Sequence, residues 1–148
     1  STITSFVLPR FISADKYLYN VDNEYNGVIT EAAFADKQFF SGKGAGGHAT
    51  GSAVLSDISA NSYSYRYEYK KHRQATVSKY TRNFKLQIYL RYKNERDRKV
   101  FGFSEVSEYF SSRAYKYVIG TVNLETLYSL RSDLRNMDVF IVNTGKKF

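Results

Sequence analysis

The chain has no cysteine and no tryptophan, and only one proline and one methionine in 148 residues. Without cysteine there are no disulfides, no thiolate metal sites and no cysteine nucleophile. No apolar run approaches the roughly 18 residues a membrane span requires. No basic stretch followed by an apolar one opens the chain, so no secretory signal is expected. Histidine is scarce, at two residues. No cluster has metal-ligand spacing, so neither a metal nor another cofactor is expected. The length fits a single domain covering 1–148.

Two features stand out against these absences. Aromatic residues reach 17%, from 14 Tyr and 11 Phe, and the formal net charge is +8. The charge is concentrated: residues 62–100 hold 12 Lys+Arg against 3 Asp+Glu, so the remainder is close to neutral. A localised positive field attracts polyanions, nucleic acid above all, although a basic face can also serve solubility alone.

Periodicity gives a coarse order of elements. Lys16 to Val21 alternates, and Asn26-Gly27 is the strongest hairpin signal. Residues 31–40 fit a strand or a short helix. Ser41 to Gly47 holds four glycines and reads as a loop. Thr50 to Ile58 reads as a strand ending in a Ser/Asn turn. Tyr63, Tyr65, Tyr67 and Tyr69 alternate with Ser64, Arg66, Glu68 and Lys70. Phe84, Leu86, Ile88, Leu90 and Tyr92 alternate with Lys85, Gln87, Tyr89 and Arg91. Strict period two puts each set on one face of a strand. Asn94 to Lys99 is a charged turn, and Glu105 to Phe110 fits a helical turn. Ala114 to Val122 is a strand by composition. Leu124, Leu127, Tyr128, Leu130 and Leu134 have helical spacing, with Asn123 as N-cap. Asp138 to Val142 fits a short helix or a last strand. Many strands followed by a helix argue for an α+β fold with an antiparallel sheet, one face apolar and one basic.

A basic face bearing Arg, Lys, Gln and Tyr suits single-stranded RNA, with cations on phosphates and rings under bases. The glycine run 42–47 lacks the GxxxxGK[ST] order of a phosphate loop, and no clear helix follows it. His48 and His72, with Lys79, form an alternative acid–base set for a small toxin-like ribonuclease. A non-assembling RNA-binding module is a further alternative.

Four runs carry a family resemblance: GSAVLSDISANS (51–62), YSYRYEYKK (63–71), TRNFKLQIYLRYK (81–93) and RAYKYVIGTVNLETLYSLRSDLRNM (113–137). Their order resembles the coat proteins of single-stranded RNA bacteriophages, the leviviruses. The resemblance implies an N-terminal hairpin within 1–50 and a five-stranded antiparallel sheet over 51–122, with a long loop at 94–112. Two C-terminal helices would follow in 123–148. It implies an intertwined homodimer whose helices lie over the partner's sheet, with Leu124, Leu127, Tyr128 and Leu134 at the interface. It further implies a non-enzymatic icosahedral capsid, made in the bacterial cytoplasm. The virion would contain genomic RNA with an operator hairpin, and a maturation protein. The RNA-binding residues implied are Ser64, Arg66, Lys70, Lys85, Gln87, Tyr89, Arg91, Tyr115 and Tyr117.

Overall fold

The computed structural model describes residues 2–65 and 77–146. In chain order the elements are β1 (Thr2–Ile3), β2 (Tyr25–Ala32), β3 (Ala35–Lys43), α1 (Gly47–Ser62), β4 (Lys79–Tyr80), β5 (Lys85–Tyr92), α2 (Glu95–Lys99), β6 (Glu105–Ser111), β7 (Lys116–Asn123), α3 (Leu124–Leu130) and β8 (Val139–Asn143). The chain divides into two compact units, residues 1–11 with 76–148, and residues 12–75.

The first unit is built on an antiparallel sheet of order β6-β7-β5-β8. With its helices it runs β-α-β-β-α-β, the split arrangement seen in ferredoxin-like folds. Alternation along β5 buries Leu86, Ile88, Leu90 and Tyr92 on one face. These pack with Val118 and Val122 of β7, Phe101 after α2, and Leu124 and Leu127 of α3. Asn123 caps α3 as its sequence suggests, its side chain accepting from the Glu125 N–H at 2.9 Å. Short β1 pairs in parallel with β4, and Pro9 to Phe11 run beside β8 through hydrogen bonds to Asn143.

The second unit is a β2–β3 hairpin followed by α1. None of its described residues is buried. Asn26-Gly27 is not its turn: both residues lie inside β2, opposite Gly42 and Ser41, and the turn falls at 33–34. Gly27 is required there by close packing, since a Cβ would meet Leu18 at 2.7 Å and Phe39 at 2.9 Å.

Several expected elements differ. Thr50 to Ile58 is helical, because the small residues of 47–62 favour neither face of a sheet and Gly46 opens a helix before them. The helix stops where the tyrosine alternation begins. Ser64 takes a left-handed φ of 54°, and Tyr65 and Ser64 donate back to the carbonyls of Ala60 and Asn61. That is a Schellman stop, so Tyr63 to Tyr65 do not start a strand. The rest of that expected strand, 66–70, and His72 lie outside the described residues. Lys16 to Val21 contains a 3-10 turn at Tyr17–Asn20. Asn94 to Lys99 holds α2, Glu105 to Phe110 is strand, and of 138–142 all but Asp138 belongs to β8. The largest sheet among the described residues has four strands where the resemblance implies five.

Candidate functional site

The glycine run gains meaning from the helix behind it. Lys43 ends β3, and Gly44 to Gly46 connect it to α1. The Gly44 N–H donates to the Glu24 carbonyl at 3.0 Å, which fastens the loop to the hairpin. The Lys43 ammonium donates to the Glu24 carboxylate at 2.7 Å and holds that carboxyl below its ordinary value. Gly46 is the N-cap, at φ 104° and ψ 149°, a conformation that side chains rarely adopt. Its carbonyl accepts the first helical bond from Thr50 at 3.0 Å. The N–H groups of Gly47, His48 and Ala49 therefore have no partner within the helix, and no side chain caps them. They open onto a shallow recess of about 250 Å³ lined by Glu24, Lys43, Ala45 and the first residues of α1.

Such a helix start favours an anion through aligned N–H groups and the helix dipole. The glycines at 42, 44 and 47 also have G-x-G-x-x-G spacing. The strand entering the loop belongs to an antiparallel hairpin. The loop is thus not the first turn of a parallel βαβ dinucleotide fold. His48 lies exposed beside it. Among the described residues no group of three or more His, Cys, Asp or Glu could hold a metal ion.

The sheet residues expected to bind RNA divide. Lys85, Gln87, Tyr89 and Arg91 do share the open face of β5, opposite the core. Tyr117 of β7 joins them, and Tyr115 stacks beside it. Gln87 is tied inward, donating to Ser107 at 3.0 Å and accepting from Thr144 at 2.8 Å. Tyr89 is held between Phe11 and Tyr117, at 5.5 and 5.1 Å between ring centroids. Ser64 is at the Schellman stop, in the other unit. Arg66 and Lys70 lie outside the described residues. Sequence reasoning missed that β6 brings Glu105 and Glu108 to this same face, because 105–110 read as a helical turn. Two carboxylates against Lys85 and Arg91 leave the face without the excess charge that phosphate binding needs.

The expected dimer contacts are also placed differently. Leu124 and Leu127 are 7% and 6% exposed in the chain's own core. The short β7-to-β8 crossover lays α3 on its own sheet, so these leucines are not free for a partner. Leu134 packs against the same core. Tyr128 is clasped between the guanidinium groups of Arg82 and Arg131, 3.5 and 4.1 Å from its ring centroid.

The family described as Homoserine dehydrogenase matches residues 1–59. A homoserine dehydrogenase of Corynebacterium glutamicum is 38% identical over 58 residues, which is 39% of this chain. The match spans 13% of that relative's length. It includes the hairpin, the glycine loop and most of α1. It also includes most of the run GSAVLSDISANS, the segment with which the coat-protein resemblance begins. These findings overturn that resemblance. The capsid function, the non-enzymatic reading and the virion location are corrected with it, since the matches point to an oxidoreductase family. The ribonuclease alternative finds no support either.

Proposed function

We propose that residues 2–59 are the counterpart of a segment of a homoserine dehydrogenase. In this reading the glycine loop and first turn of α1 receive an anionic group, a carboxylate or phosphate of the substrate or of the hydride acceptor. The observation that carries the reading is the match over residues 1–59, which brackets the loop on both sides. The relative's name describes withdrawal of hydride from the alcohol of an amino acid. Such chemistry needs an acceptor, a nicotinamide or a flavin. The described residues suit an anion at the loop and do not build a doubly wound nucleotide fold. The role assigned to the loop is therefore to bind and orient, and no proton or hydride step is assigned to His48 or Lys43.

The test is an NMR titration of the purified protein, with homoserine in one arm and a pyridine dinucleotide in the other. The amides of Gly44 to Ala49 are expected to shift saturably in at least one arm, beyond what acetate produces. Shifts no larger than those with acetate in both arms would contradict the assignment.

A further inference from the structure

The open face of the four-stranded sheet carries more aromatic surface than a solvated face needs. Phe11, Tyr89, Tyr117, Phe110 and Tyr115 form an unbroken chain of rings, each centroid 5.1–5.5 Å from the next. Phe110 remains 38% exposed, Tyr115 48%, Phe11 55%, and Phe140, beneath Arg91, 45%. Contiguous exposed rings of this kind mark interaction surfaces rather than inert surface.

The charges on the face are sorted by strand. Lys85 and Arg91 stand on β5, and Glu105 and Glu108 on β6, with β7 between them. A bulge between Val106 and Glu108 turns Ser107 toward Gln87 and Glu108 toward the Tyr117 hydroxyl. In the ladder Glu105 is level with Gln87, beside Lys85, and Glu108 is level with Tyr89, beside Arg91.

We propose that this face is an interface that receives the same face of a second copy of the chain. A two-fold axis parallel to the strands and running over β7 lays β6 of each copy across β5 of the other. Heights along the strands are kept by that operation. Along the strand axis Glu105 then falls one same-face step, about 6–7 Å, from the other copy's Lys85, and Glu108 the same step from its Arg91; with about 10 Å between packed sheets, the backbones of each pair lie about 12 Å apart. Those spans are within reach of the long side chains. The rings meet in the centre and the charges close the flanks, the arrangement of a self-complementary two-fold interface. A nucleic acid would meet the two carboxylates without compensation, so the face fits a copy of itself better than a polyanion. This inference is independent of the reading of residues 2–59.

Light scattering during gel filtration, over a range of concentrations, is expected to show twice the 17.1 kDa chain mass. Arg91→Glu alone and Glu108→Arg alone are each expected to weaken association by about tenfold or more. The two substitutions together exchange the charges on both sides and are expected to restore it. A monomer at every concentration overturns the proposal, as does association unchanged by both single substitutions. A measurement on the unaltered protein guards against misfolded variants. In a mixture of isotopically light and heavy chains, a zero-length carbodiimide should join Glu105 or Glu108 of one label to Lys85 of the other. Finding those links only within one label contradicts the interface.

Discussion

Glu95 shows how much one side chain organises. Its carboxylate accepts from Arg98 at 2.9 Å, from the Tyr92 hydroxyl at 3.2 Å and from the Tyr109 hydroxyl at 3.4 Å, with the Lys116 ammonium 3.6 Å away. The hydrogen bond from Arg98 leads in holding this carboxyl below its ordinary value of 4.5. A carboxyl lowered in the folded state adds stability above its unfolded value, and that stability is lost as pH falls through the folded one. Acid titration of unfolding should therefore show a loss below pH 4.5 that Glu95→Gln flattens. At neutral pH the same substitution should cost about 0.2–1 kcal/mol, as for a partly exposed ion pair. An unchanged acid limb would remove Glu95 from this role. Tyr117 is pushed up to about 12, chiefly by its hydrogen bond to Glu108. At this scale the sequence was partly legible. The alternation placed Lys85 and Arg91 on one face of β5 correctly. Nothing in it announced Glu105 and Glu108 opposite them, since a bulge shifts the register of β6 by one residue.

At the scale of elements, periodicity spoke clearly where a core enforced it. β5 is buried on one face, so its period of two was plain, and α3 was marked by its leucines and its cap. Asn123→Ala should lower unfolding stability by about 1 kcal/mol in a denaturant titration. Phe101 is fully buried, and Phe101→Ala should cost about 3–5 kcal/mol, a large part of a typical domain's total. A loss under 1 kcal/mol, on the same scale, would place Phe101 outside the core. α1 was illegible for the opposite reason. It buries no residue, and Val54, Leu55 and Ile58 stand exposed among serines and small residues. With Thr50, Val54 and Ile58 scattered among small polar residues and no buried face to set a period, the stretch reads as strand from its β-branched content alone. Missing the helix hid the loop, because a glycine run gains an anion-binding geometry only from the free N–H groups behind it. Gly46→Ala forces a side chain into a backbone region it rarely takes, a strain of about 1–3 kcal/mol. It should abolish the ligand-induced amide shifts at 44–49 while leaving β5 and β7 unchanged in hydrogen exchange.

At the scale of the molecule, the two units differ in what holds them. The unit around β5 and β7 has a closed core, whereas the hairpin and α1 have no buried residue among those described. Hydrogen exchange is expected to be slowest in β5 and β7 and fastest in β2, β3 and α1, because local stability follows buried contact. Equal protection across the two would contradict this. The matched segment takes in β2, β3 and most of α1, the less protected elements, so its function is best tested within a whole enzyme. The direct measurement is a chimera in which residues 1–59 replace the 58-residue matched segment of the Corynebacterium glutamicum enzyme. The account expects the folded chimera to oxidise homoserine within about tenfold of the parent, some 1.4 kcal/mol of transition-state stabilisation. A chimera that folds, binds the hydride acceptor and yet shows no homoserine oxidation would contradict it.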